Sequence, residues 1–309
     1  MLNIIGNRYK FFAFSAAIII PGLLIMAIWG IPFSIDFRGG NRLQVQFSSG
    51  SYPEPAKIFQ LYQSLGVADA KVVTSGNDVV EILTPPISEA VAASAKDGLK
   101  ALTTGEIVVN REEAVGPTIG QEVTKNALWT LLATSLMLVG FITFSFRGVE
   151  NAVHYGIATV IALVHDVLVI FSILAIGGRI SGWQVDTLFL TALLTVIAFS
   201  AQDTIVVFDR LRENSNIFRK LDFELLTNHS VVQTLSRSIN TQLMTVDFML
   251  MALALFGGVT LREFATVLLV GMISGSYSSI FIAAPILVIW EKKEWRTWFG
   301  RRAPKTQEA

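Results

Sequence analysis

Six apolar runs, each long enough at about 20 residues to cross a hydrocarbon core of roughly 30 Å, limit what this chain can fold into. They fall near 11–31, 127–146, 152–176, 185–208, 234–256 and 264–290. Inside hydrocarbon a segment must satisfy its own backbone hydrogen bonds, so the runs are read as helices of one bundle. Composition agrees: 52% of the 309 residues are hydrophobic and 16% charged, with a mean hydropathy of +0.56. The first run follows Arg8 and Lys10 but lacks a small-x-small cleavage pattern, and it is read as a retained anchor.

Lys and Arg in the short connections orient the bundle. With both termini cytoplasmic, the inner side holds Arg8, Lys10, Arg147, Arg210, Arg212, Arg219, Lys220, Lys292, Lys293, Arg296, Arg301, Arg302 and Lys305. The short outer loops then hold Arg179 and Arg262, thirteen against two. The segment 32–126 becomes an external domain, too long for its own charges to count.

Within that domain Arg42-Leu-Gln-Val-Gln-Phe47 alternates as a strand. Pro53 to Leu65 opens on proline and has helical spacing in Ile58, Leu61, Tyr62 and Leu65. Lys71–Thr74 and Val79–Leu83 read as strands joined by a hairpin turn at Ser75-Gly-Asn-Asp78. Ser88 caps a helix to about Leu102, and Glu106 to Val115 closes as a strand. The order β-α-β-β-α-β predicts a ferredoxin-like α+β domain, without a catalytic cluster on its surface. Residues 210–230 fit an amphipathic helix on the cytoplasmic surface. The basic tail 291–309 reads as an interfacial anchor at Trp295 and Trp298 followed by an unstructured end.

Ionisable residues recur at membrane depth: His165 and Asp166 in the third run, Asp203 in the fourth, Arg237 and Asp247 in the fifth. An Asp near the bilayer centre costs roughly 2.5–3.5 kcal/mol, so these side chains are expected to face one another. At about 1.5 Å per residue, Asp203 and Arg237 both lie roughly 5–8 Å inside the cytoplasmic boundary, which allows an ion pair. The same count puts His165 and Asp247 about 20 Å up, giving a second expected layer of His165, Asp166 and Asp247. A carboxylate whose arginine moves in and out can load and release a proton, and one proton crossing the membrane field is worth about 2.3 kcal/mol per 100 mV.

Other chemistry lacks its parts. Cysteine is absent, and no G-x-x-x-x-G-K-[ST], H-E-x-x-H or G-x-S-x-G occurs, which removes thiolate, ATPase, zinc-protease and serine-hydrolase readings. Scattered Ser200, Asp203 and His165 are not fixed together by any motif, so a protease triad has no support. A net charge of zero gives no basic field for nucleic acid. No metal site or cofactor is expected. In the last run Gly271, Ser274, Gly275 and Ser278 form a small-residue stripe suited to close helix packing.

Several motifs in order carry a family resemblance. They are Ile35-Asp36-Phe37-Arg38-Gly39-Gly40, Val115-Gly116-Pro117-Thr-Ile-Gly120-Gln-Glu122, Leu163-Val-His165-Asp166, Asp203-Thr-Ile-Val-Val-Phe-Asp209-Arg210-Leu-Arg-Glu213, Thr234-Leu-Ser-Arg237-Ser and Leu255-Phe-Gly-Gly258. On these the chain resembles the SecF family, the smaller membrane subunits of SecD–SecF protein-export complexes and relatives of the RND transporters. The resemblance implies a six-span bundle that works with SecD and the SecYEG channel, using the proton-motive force to draw an unfolded preprotein across the plasma membrane or an internal one. It implies that Asp203 carries the proton with Arg237 as partner, and that the external domain moves or contacts the emerging chain. Asp36, Gly39 and Gly40 match a turn out of the first span, and Gly116, Pro117 and Gly120 match the return. The chain departs from the family pattern at Ala198-Phe-Ser-Ala-Gln202, where a Tyr and an Asn are usual, and at Thr241-Gln-Leu-Met-Thr245. Asp247 has no counterpart in the family pattern. Two rival readings are a small-molecule RND-type exporter, which should carry a second large external domain where only a short loop near 177–184 occurs, and a non-transporting assembly subunit.

Overall fold

A computed structural model describes residues 2–48, 53–75, 78–103, 105–148, 151–180, 182–242, 247–257 and 259–295. These form two compact units, one of Ile31–Thr130 with Gly178–Leu190, the other of Met1–Gly30, Leu131–Gly177 and Thr191–Ala309.

The first unit is built on strands β1 (Gly40–Phe47), β2 (Lys71–Ser75), β3 (Val79–Thr84) and β4 (Ile107–Val115), all antiparallel in the order β2-β3-β1-β4. Strand alternation puts Leu43, Val45 and Phe47 on one face. Helices α3 (Pro55–Ser64) and α4 (Glu89–Ala101) cover that face with Ile58, Tyr62, Ala95 and Leu99, each pair spaced i, i+4. Pro55 occupies the first turn of α3, and the Ser88 hydroxyl accepts from Val91 N to start α4. The register of β1 on β4 shifts between Gln44 and Val45, leaving Asn110 unpaired as a bulge. Burial next to Glu112 pushes the Tyr62 phenol up to about 12. The expected turn at 75–78 falls largely outside the described residues.

A short helix α2 (Ile35–Arg38) ends on Gly39, whose φ of +76° is a conformation that a side chain disfavours. Helix α5 (Pro117–Ser145) starts directly against this turn. A Cβ on Gly120 would lie 2.8 Å from Gly39 N and 3.0 Å from Phe37 O, so both glycines are set by one backbone crossing. A side chain at Gly116 would meet nothing, and contact does not explain that glycine.

The second unit is helical. Among the described residues five helices are long and apolar enough to cross a membrane: Ile5–Trp29, which includes α1 (Arg8–Trp29); α5; α6 (Ala152–Ile180); α7 (Thr187–Ile217); and Leu261–Glu291. The last of these joins α10 (Val259–Ser278) and α11 (Ala284–Glu291) through a π-helical turn at Ser279–Ala283. Its most apolar stretch is 67% buried, against 11% for Ile5–Trp29 and 6% for α5, so α6, α7 and α10–α11 make the interior. Small residues let these helices approach. A Cβ on Gly22 would collide with Ser172 at 2.2 Å, and one on Gly271 with Val196 at 2.3 Å. Near one end Phe146 stacks on Tyr155 at 5.4 Å and meets Phe208 edge-on.

The expected span at 234–256 is not one described helix. Its residues belong to α8 (Phe223–Gln242) and α9 (Phe248–Phe256), with 243–246 outside the described residues. The described residues of α8 within it, Thr234 to Gln242, are largely polar, and the nine residues of α9 taken alone reach about 14 Å. The amphipathic helix expected at 210–230 is likewise divided: α7 runs on to Ile217, a turn follows, and α8 opens at Phe223. Trp298 and most of the basic tail lie outside the described residues.

Candidate functional site

The helical unit buries its carboxylates among serines. Asp166 on α6 is fully buried, and four donors reach its two oxygens. Ser200 of α7 donates to Oδ2 at 2.6 Å and Ser278 of α10 to the same oxygen at 2.7 Å. Ser274 of α10 donates to Oδ1 at 2.7 Å, and His165 Nδ1 lies 3.1 Å from it. An ionised carboxylate has about four acceptor sites, so this set saturates it. With Nδ1–H turned to Asp166, the other ring nitrogen of His165 accepts from Ser15 of α1 at 2.9 Å. Tyr277 stacks on the imidazole at 5.9 Å and donates to Phe11 O at 2.8 Å. A cavity of about 240 Å³ with apolar walls adjoins Ser15, His165 and Tyr277.

Asp203 sits three residues beyond Ser200 on α7, partly buried, and its surroundings differ. Ser276 of α10 donates to Oδ2 at 2.8 Å. Among the described residues this hydroxyl is its one recorded hydrogen-bond donor, and no cation pairs with it.

The expected Asp203–Arg237 ion pair is not formed. The buried stripe of α8 runs through Ser230, Thr234, Ser238 and Gln242 at four-residue spacing, and Arg237 falls off it, exposed. Height along the helix allowed the pair, but helical phase sets the guanidinium elsewhere. Asp247 does not join His165 and Asp166 either. It is buried, and among the described residues its Oδ1 has no hydrogen-bond partner. Counting 13 residues up one span placed it in that layer, and four of the residues counted, 243–246, lie outside the described residues.

Other motif residues have structural work. Asp36 accepts from Thr187 N at 3.0 Å and Thr187 Oγ1 at 2.9 Å, so it meets the first residue of α7, which Asp186 caps by accepting from Phe189 N at 2.7 Å. Asp209 pairs with Arg212 at 2.6 Å, while Arg210 reaches Glu213 and Gln233, tying α7 to α8. At the start of α1, buried Arg8 contacts Glu224 at 3.1 Å and Glu294, and Lys292 meets Glu224 at 2.7 Å and Asp222 at 3.0 Å. Hydrogen bonds from Lys292 hold the Asp222 and Glu224 carboxyls below the usual range. No group of three or more His, Asp or Glu residues suited to a metal occurs among the described residues.

Residues 94–293 match the family described as protein export membrane protein SecD/SecF, C-terminal, and residues 26–50 match the SecD/SecF GG motif. The chain is 57% identical over 303 residues to protein translocase subunit SecF of Anaerolinea thermophila, covering 98% of each. It is 40% identical to the SecF subunit of Thermobaculum terrenum, covering 99% of each. Protein translocase subunit SecDF of Bacillus subtilis is 32% identical over 94% of this chain and 38% of its own length. The crystal structure of SecDF from Thermus thermophilus superposes with a TM-score of 0.81 at 27% identity, covering 94% of this chain and 39% of that one.

Proposed function

Because this chain belongs to the SecD/SecF family of protein-export membrane proteins, in its SecF branch, we propose that it couples the proton-motive force to protein export through Asp203. It is a multi-pass membrane protein and an accessory subunit of Sec protein translocation. The observation that carries the proposal is the setting of Asp203: a carboxyl on a helix of membrane length, met by one neutral hydroxyl and no described cation. Such a group can take up or release a proton without breaking an ion pair, and a proton that crosses the whole membrane field gains about 2.3 kcal/mol per 100 mV. Arg237, exposed on α8 in this arrangement, is the cation that would meet Asp203 in the alternate one.

The partner is SecD, with which relatives are fused in one chain named SecDF. The SecYEG channel and an unfolded preprotein complete the assembly in this reading. Residues 32–126 form an external domain, ferredoxin-like in its β-α-β-β-α-β order and β2-β3-β1-β4 sheet. Six spans, 1–31 with 127–290, put both termini in the cytoplasm of a plasma-membrane protein, with 291–309 as the inner tail and 234–256 as the fifth span.

Asp203→Asn is the test. Export of a secreted reporter in cells should be lost while the variant still co-purifies with SecD. Full export in that variant overturns proton coupling at Asp203. Loss of co-purification instead indicates an assembly role.

A further inference from the structure

We infer that Asp166 is a positioning residue for Asp203: by gripping Ser274 and Ser278, it sets the rotation of α10 at which Ser276 meets Asp203. The inference rests on the reading of Asp203 as the proton carrier. Consecutive residues of a helix differ by about 100° around its axis, so Ser274 and Ser278 lie only about 40° apart and share a face. Both donate to Asp166, at 2.7 Å each. Ser276, two residues from either, points nearly the opposite way, and there it donates to Asp203 at 2.8 Å.

Between those directions lies Gly275, where a Cβ would stand 3.0 Å from the Ser200 side chain. Ser200 itself donates to Asp166 at 2.6 Å, so α7 is held by the same carboxylate that holds α10. One residue's worth of rotation would take Ser276 away from Asp203 and break both contacts to Asp166 together. His165 fixes Asp166 from the other side and is in turn tied to α1 through Ser15. Three helices therefore meet at one buried carboxylate, with α1 joined through His165, and what they hold in place is a hydroxyl on the far side of α10.

This arrangement separates two roles that the sequence alone merges. Asp166 is met by four donors, which fill the acceptor sites of its two oxygens and hold it between helices. Asp203, with one recorded donor, has room to change. The titratable groups facing this layer from the packed helices are His165, Asp166, Tyr277 and Asp203.

The test is an infrared pH titration of carboxyl bands in the full chain with its SecD partner, held in phosphatidylethanolamine–phosphatidylglycerol nanodiscs. The band lost in Asp203→Asn identifies Asp203. Ser276→Ala and Asp166→Asn should each move its midpoint in the same sense, by about one pH unit. The double variant should move it no further than Ser276→Ala alone, the non-additivity of residues acting through one contact. Should Asp166→Asn fail to fold, Ser274→Ala with Ser278→Ala leaves the carboxylate but removes its grip, and should give the same shift. A midpoint unchanged in Asp166→Asn or in that serine pair, or a shift that adds to that of Ser276→Ala, overturns the positioning role. If no titrating band disappears in Asp203→Asn, the proton-carrier reading fails instead.

Discussion

Asp166 and Asp203 are met by serine hydroxyls, whereas Asp222, Glu224 and Glu294 are met by Arg8 and Lys292. Both regions belong to the helical unit and both use hydrogen-bonded carboxylates, yet they answer different needs. A guanidinium or ammonium beside a carboxylate favours the charged form and so fixes it. A hydroxyl donates to the charged form without adding a cation, and the same serine can turn and accept from a protonated acid. Ion pairs therefore suit the cluster that ties α1, α8 and the end of α11 together. A single serine suits a group that has to change state, as at Asp203, whereas several donors on one carboxylate suit a group that holds helices, as at Asp166.

Putting a cation where the structure has a hydroxyl should break the contrast most severely. Ser276→Lys, with an ammonium beside Asp203, is expected to fix the charge and lower export about a hundredfold or more, like Asp203→Asn, when reporter secretion is measured. Next, Arg8→Met leaves Glu224 and Glu294 short of their shared cation. Because both acids keep some solvent, the cost should be about 2 kcal/mol, read as a lower melting temperature of the purified protein, with the pH profile of export unchanged. Asp36→Ala should cost about 1 kcal/mol through loss of its two hydrogen bonds from Thr187, visible as faster amide exchange at Thr187. The smallest effect concerns Asp222 and Glu224. Their carboxyls are depressed by Lys292, so their contribution is present above the ordinary carboxylate range near pH 4 and is lost as pH falls through the depressed values. Amide exchange over 222–226 should rise as the pH is lowered through that window, and Lys292→Ala should weaken the dependence to the part of Glu224 that Arg8 holds.

Much of the architecture was legible in one dimension, for reasons that particular residues show. Leu43, Val45 and Phe47 alternate, Ser88 caps, and the apolar runs have the length of a bilayer, so local pattern and tertiary position agree. Asp203 stood out because a carboxyl in an apolar run is costly. The serines that meet Asp166 and Asp203 did not, since Ser200, Ser274, Ser276 and Ser278 look like small packing residues. The one available signal was the i, i+4 spacing of Ser274 and Ser278, read as a packing stripe. Gly271 and Gly275 do serve packing, against Val196 and Ser200, while the intervening serines serve the carboxylates. Arg237 was misplaced because residue counts give height along a helix and leave its azimuth open, and the place of Asp247 rested on a count through 243–246, outside the described residues.

The wide turn at Ser279–Ala283 adds a consequence for how the last span moves. Such a turn holds one residue more than the regular spiral beside it, and that surplus can be handed along the chain one position at a time. Each hand-over would swivel Ser274, Ser276 and Ser278 together while leaving the end near Lys292 docked to Asp222 and Glu224. The last span would then behave as a crankshaft with a clutch in its middle.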